Sequence, residues 1–365
     1  MFFSLKRGLA TALAGLAVLS TSACATEQVS ASPTPVAFKA CMISSREGFS
    51  DSGINAEAYY GLLQSEAQFG PQVSVVQMGQ NATIDDFTAG LKKLVKRECN
   101  LIFGVGPQLV APIRQVATTY PNVNFALLDA AMSKGNGGEL NLANVKNLEF
   151  DTTQAAFLAG YLSASKAAGS SIGVLGGARN ASNYATLWAF RSGVLYFDQK
   201  HDKNTVLIGA IGEAPETWNF AGKTFNKQEL HDRVGAMVNA GADVIVPIGI
   251  SGSTIASVIG AYPQVKMVGS TVDWWAQGIY AGQKTQILAS IVKRISNTVV
   301  VTVGSAVAGN FVGGSGGAWL GTIASGDVWL TVQHQIDYGM GMQTELDSIR
   351  ADLQNGNLEI PLLPN

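Results

Sequence analysis

Acidic and basic side chains nearly cancel in this chain of 365 residues, 26 against 24, for a formal net charge of −2. Binding nucleic acid needs a concentrated basic face that displaces condensed counterions, so the balance argues against that class, and no run of like charges suggests a polybasic membrane patch. Hydrophobic residues make up 47% of the chain and charged ones only 14%, with 41 glycines, a composition that fills large cores and turns tightly.

The N-terminus carries Lys6 and Arg7, then a mostly apolar stretch from Gly8 to Leu19, then Ser20-Thr21-Ser22-Ala23 before Cys24. A helix of about 12 residues spans about 18 Å, too short for a bilayer core of about 30 Å. That is the length of an export signal, not of an anchor. The small-small-Cys ending resembles the lipobox of bacterial lipoproteins, although Thr21 stands where such boxes usually carry Leu. The resemblance implies cleavage before Cys24 and a diacylglycerol on its sulfur; the alternative is an ordinary secretory leader with a chance cysteine. Residues 24–35, polar and rich in Ser, Thr and Pro, read as a flexible spacer.

About 340 residues remain, more than a single core usually holds, so two lobes are expected. Strands are predicted over Val36–Ile43, Val73–Gln77, Leu101–Val105 and Phe125–Asp129. Helices are predicted between them over Ala56–Phe69, Ile84–Lys96 and Val110–Thr118. In Ile84–Lys96 the early Asp85 and Asp86 and the late lysines suit the helix dipole. A second series follows Phe150, with helices Gln154–Ala167, Tyr184–Gln199, Gln228–Ala240 and Ile255–Ala261. Its strands are Ile172–Leu175, Val206–Ala210, Asp243–Ile248 and Lys266–Gly269. Such alternation predicts parallel sheets covered on both faces, in two lobes joined near Asn147–Asp151 and again near Thr271–Asp273. Ile295–Gly326 has no charged side chain over 32 residues, but its eight glycines favour a buried helix and a glycine-rich strand over a membrane span.

With Cys24 set aside, Cys41 and Cys99 form an even pair for an oxidising compartment. Cys41 lies in the first predicted strand and Cys99 just before the third; these are neighbours in a doubly wound sheet, so a disulfide is expected. The alternative is two buried thiols.

The segment NLEFDTTQAAFLAGYLSASKAAGSSIGVLGG (Asn147–Gly177) resembles the signature of the basic membrane protein family. These bacterial lipoproteins are substrate-binding components of ABC importers, several of them for purine nucleosides. Further matches follow in the same order: the Phe49–Asn55 loop, LIFGVG (Leu101–Gly106), YPNVNFALLDA (Tyr120–Ala130), AGADVIVPIG (Ala240–Gly249) and SIVKRI (Ser290–Ile295). The resemblance implies an α/β type I periplasmic-binding-protein fold: two doubly wound parallel-sheet lobes, a hinge and an interlobe cleft. The expected organisation is a signal peptide over 1–23, the spacer over 24–35, the first lobe over 36–148, the second over 149–270, and a return to the first lobe with the final crossover segments over 271–365.

The same resemblance implies site residues. The family sandwiches a base between aromatics, takes hydroxyls and ring N–H groups with carboxylates, and uses one lysine. Asp129 at its strand end fits a carboxylate, Lys293 the lysine, and Asp51 and Asn55 the first loop. Trp218, Phe220 and Phe225 are candidate stackers in the second lobe, and Asp273 lies in the matched hinge. Three departures stand out. Ile54 replaces the usual Phe, which leaves Phe49 as the nearby aromatic. Ser44-Ser45-Arg46 lacks the acidic residue common before the loop, and Thr271 replaces an expected Asp.

Other motifs carry no chemistry. Gly169-Ser170-Ser171-Ile172-Gly173 matches a nucleophile elbow, but Ser171 enters a strand from a helix, the reverse of what that motif needs. His201, His231 and His334 are scattered, with no metal spacing or triad, and Gly104-Val105-Gly106 lacks the rest of a dinucleotide fingerprint. With these set aside, the expectation is a binding protein without catalysis, cofactor or metal, and the family resemblance implies a lipid-anchored solute-binding protein on the extracytoplasmic face that delivers a nucleoside to an ABC permease. A surface or regulatory lipoprotein of the same fold, with its ligand site lost or altered, is the alternative.

Overall fold

Strands buried on both faces need helices on both sides, and the chain winds accordingly. The computed structural model describes residues 38–134, 138, 140–167, 171–209, 218–221, 227–250, 252–333 and 338–362. The expected export signal and spacer, with Cys24, and also Phe225 and His334 lie outside the described residues. The first lobe runs β1 (Lys39–Ile43), α1 (Ile54–Phe69), β2 (Gln72–Val76), α2 (Ile84–Lys96), β3 (Leu101–Val105), α3 (Val110–Thr119), β4 (Asn124–Leu128) and β5 (Val145–Phe150). The second runs α4 (Thr153–Lys166), β6 (Ser171–Gly176), α5 (Ala181–His201), β7 (Val206–Ile208), α6 (Lys227–Asn239), β8 (Val244–Ile248), α7 (Gly252–Ile259), β9 (Lys266–Thr271) and β10 (Ile287–Lys293). Then α8 (Ile295–Val307) and β11 (Trp319–Gly321) return to the first lobe. The chain ends in the second with β12 (Val328–Val332) and α9 (Met342–Asn355).

The sheet orders are β11-β5-β4-β3-β1-β2 and β12-β10-β9-β8-β6-β7, parallel except for the antiparallel β10–β12 pair. Side chains alternate across each strand. In β1, Cys41 and Ile43 face the core under α2 and α3 with Leu91, Ile102 and Phe125, while Ala40 and Met42 face the core under α1 and α8 with Leu62 and Phe103. The second sheet is covered likewise by α6 and α7 on one face and by α4 and α5 on the other. A capping box between Thr83 and Asp86 starts α2.

Cys41 and Cys99 are bonded, with Cα atoms 6.0 Å apart, because β1 and β3 are register neighbours. Among the described residues no helix is long and apolar enough to cross a membrane. The uncharged stretch forms α8 and β11, joined by a glycine-rich turn.

Two expectations need correction. Ile287–Lys293, assigned by sequence to the returning segment, is a strand of the second sheet between β9 and β12. The second crossing between lobes therefore lies at Arg294, between β10 and α8, and not at Thr271–Asp273. Ile287–Lys293 differs from the strands read from sequence in having no helix before it: only the 3-10 turns Gly278–Tyr280 and Lys284–Gln286 separate it from β9, so the strand–helix alternation does not mark it. A third crossing follows β11 and takes the chain back to the second lobe, where β12 and α9 belong.

Candidate functional site

The loop between β1 and α1 is built as one polar chain. Helix α1 starts after Gly53 with no side-chain cap of its own. The Asp51 carboxylate fills that role, accepting from the N–H groups of Gly53 at 2.9 Å, Ala56 at 3.0 Å and Asn55 at 3.2 Å. The Asn55 amide donates to Asp51 and to Ser45 Oγ, each at 2.8 Å, and its Oδ1 accepts from the Ser45 N–H at 2.8 Å. The Ser45 hydroxyl in turn donates to the Glu47 carboxylate.

Strand ends supply the rest, as expected where parallel strands finish at a cleft. Asp129, one residue past β4, has φ 58°, and Thr271, the last residue of β9, has φ 78°. A β-branched residue in the left-handed region is strained, and such strain gathers at functional sites. Both residues line the space between the lobes. Lys293 at the end of β10 donates to both Asp129 oxygens at 2.8 Å, and its Nζ lies 5.9 Å from the centre of the Phe150 ring.

The cleft has two connected regions. One, of about 780 Å³, runs from Glu47, Asp51 and Ile54 to Asn180, Thr254 and Trp274. The other, of about 630 Å³, runs from Asp129 and Phe150 to Thr186 and Lys293. Asp129, Asn180, Asn183 and Thr271 line both. Asn180 caps α5 by accepting from the Asn183 N–H, so that helix begins at the cleft wall. Among the described residues the charged lining is mostly acidic: Glu47, Asp51, Asp129, Glu149, Asp151 and Glu229, against Lys227 and Lys293.

The structure sorts the residues expected from sequence. Asp129, Lys293 and Asp51 line the cleft. Asn55 is fully buried behind it, with both N–H groups and its oxygen already used. Phe49 packs against Tyr59, ring centres 5.0 Å apart, and is not part of the lining. Trp218 is a core residue stacked on Trp188, and Phe220 packs on Tyr184. Asp273 borders a separate hollow of about 800 Å³ with Glu57 and Arg294, and it accepts from the Trp275 N–H at 3.1 Å.

Sequence reading missed Glu47, Gln108, Asn180 and Asn183. Glu47 follows the Ser44-Ser45-Arg46 stretch, so an acidic residue does reach the cleft, one position later than the stretch inspected. For the asparagines, the signal was a helix-capping Asn beside a strand that ends in Gly-Gly.

Residues 38–336 match the Bmp family, described as PnrA-like ABC transporter substrate-binding proteins. The chain belongs to that family. An uncharacterized lipoprotein of Pyrococcus furiosus is 27% identical over 240 residues, covering 63% of this chain and 52% of that protein. Basic membrane protein D of Borreliella burgdorferi is 22% identical over 166 residues, 45% of this chain and 46% of that protein. The chain thus spans about half the length of these curated relatives. A solute-binding protein of an ABC transporter system from Aeropyrum pernix superposes with a TM-score of 0.73 at 18% identity, covering 90% of this chain and 94% of that one. That likeness establishes the fold, the type I periplasmic-binding-protein architecture; function has to be argued from the site.

Proposed function

We propose that this family member is anchored through lipid at Cys24 on the extracytoplasmic face and captures a neutral nucleoside between its lobes for delivery to an ABC permease. The Asp129–Lys293 pair carries this reading. It places a carboxylate and an ammonium at the strand ends of the cleft, where a ribose diol can exchange hydrogen bonds with them. The surrounding carboxylates outnumber the lysines, which repels phosphorylated solutes and favours uncharged ones. Buried groups made to pair with hydroxyls reject analogues that lack them. Binding then works by hinge closure, and no bond is made or broken.

Thermal-shift titration with adenosine, guanosine, uridine, ribose and AMP tests this reading. Saturable stabilisation by a nucleoside, following RT ln(1 + [L]/Kd), is the expected result, with none from AMP. One observation favours the second reading, a surface or regulatory lipoprotein with an altered site: the expected stackers Phe49 and Trp218 are packed into the protein. No shift across the panel would support that alternative. For the anchor, Cys24→Ala should move the protein from the membrane to the soluble fraction; retention in the membrane would remove that part of the reading.

A further inference from the structure

Asn180 is the N-terminal cap of α5, and the second lobe sets it on the wall common to both cleft regions. Its Oδ1 accepts from the Asn183 N–H at 2.8 Å, which fixes the plane of the carboxamide. The Nδ2 at the other end of that plane has no partner among the described residues, and it is not closed off from solvent. Asn183 is spent differently: its amide donates to the Ala178 carbonyl at 2.8 Å and lies against Gly249. Asp129 lines the same two regions from the first lobe. A carboxylate only accepts, so a hydroxyl that gives its proton to Asp129 still needs a donor for its own lone pairs. Lys293 already donates to both Asp129 oxygens, which leaves one of its three N–H groups for the two hydroxyls of a diol. The free Asn180 Nδ2 is a second donor, on a wall supplied by the other lobe.

We infer that Asn180 is a specificity-determining residue of the cleft: its Nδ2 donates to one hydroxyl of the solute's diol, while that hydroxyl gives its proton to Asp129. The inference rests on the cleft being the nucleoside site, and it narrows the solute to one that keeps both ribose hydroxyls. Donor and acceptor belong to different lobes, so the hydroxyl is fully paired only once the lobes have closed on it. The helix cap holds the amide in place before the solute arrives, so little side-chain freedom is lost on capture. An analogue lacking the hydroxyl leaves donor and acceptor without their partner, and a site of that kind rejects it.

Aspartate and serine cap helices about as well as asparagine, so Asn180→Asp and Asn180→Ser remove the amide donor and keep the start of α5. The ligand-free melting temperature of both variants should match that of the native protein. Calorimetric titration then uses the nucleoside that the native protein binds, whether adenosine, guanosine or uridine, with its 2′-deoxy and 3′-deoxy analogues. Both variants should bind the parent nucleoside about tenfold more weakly. They should bind one of the two deoxy analogues as tightly as the native protein does, because the hydroxyl that Asn180 serves is already missing there. Unchanged affinity for the parent, or an equal loss against all three compounds, would overturn the role of Asn180 while leaving nucleoside binding intact. An equal loss accompanied by a lower melting temperature would assign Asn180 to the helix cap alone. If the native protein binds none of the three nucleosides, the nucleoside reading falls and this inference with it.

Discussion

The Nζ of Lys293 lies 2.8 Å from both carboxylate oxygens of Asp129, joining the end of a strand in the second sheet to the end of a strand in the first. The two side chains are 10% and 23% exposed, so the pair is only partly screened by water. Truncating one partner strands the other charge. Lys293→Met alone should lower the unfolding free energy by about 2 kcal/mol, and the double variant with Asp129→Asn should regain much of that loss. Urea denaturation of the four proteins in the cycle measures it. Additive losses would mean that the pair is not coupled.

The Cys41–Cys99 bond closes a loop with a sequence separation of 58 residues. In the chain-entropy model its removal should cost about 4 kcal/mol. Cys41→Ala/Cys99→Ala should therefore unfold at markedly lower urea concentration, and a reductant should shift the native protein but not the variant.

Helices α4 and α5 cross where two glycines face each other's backbone. A Cβ on Gly160 would run into the Phe190 carbonyl, and one on Gly193 into the Phe157 carbonyl. Neither obstacle is a flexible side chain, so the helices must separate. Gly160→Ala should cost about 3 kcal/mol, at the upper end for overpacking, although alanine is the better helix former by about 1 kcal/mol. Thermal melting followed by circular dichroism checks this; a stability equal to the native protein's would refute the close crossing.

Two carboxyl groups should give opposite pH signatures. Tyr161 donates to Glu345, whose carboxylate also lies 3.1 Å from His201 Nε2, and these contacts tie α4, α5 and α9 together. The Tyr161 hydrogen bond first, with His201 behind it, holds the Glu345 carboxyl below its ordinary value of 4.5. The resulting stability is complete above that value and is lost as pH falls through the lower folded one. Glu345→Gln should thus lower the melting temperature at neutral pH, with the gap closing in acid. Burial pushes the Glu57 carboxyl up, against the opposing influence of the Ser296 and Gln277 side chains. Its ionisation therefore penalises folding once pH rises above the ordinary value, and Glu57→Gln should raise the melting temperature at pH near 7 but not in acid. Parallel melting curves against pH for native protein and variants would contradict both assignments.

Much of this was legible along the chain. Apolar runs bounded by amphipathic helices mark β1 to β4 and β6 to β9, because hydrophobic period follows directly from backbone geometry. Cys41 and Cys99 could be paired since doubly wound topology makes the first and third strands neighbours. Asp129 stands at the end of a predicted strand, while Lys293 was marked only by its match to the family lysine. Strand β10 was not legible, since only 3-10 turns precede it and the strand–helix alternation breaks there.

The local pattern thus settles the two-lobed α/β architecture. Folding alone decides how each polar group spends its hydrogen bonds. Asn55 turns inward to close its loop on Ser45 and Asp51, Phe49 packs on Tyr59 and Trp218 on Trp188, while Glu47 and Asn180 reach the solute space. A side chain's type advertises its hydrogen-bonding capacity, but whether that capacity is used by the protein or left for a ligand depends on neighbours remote in sequence.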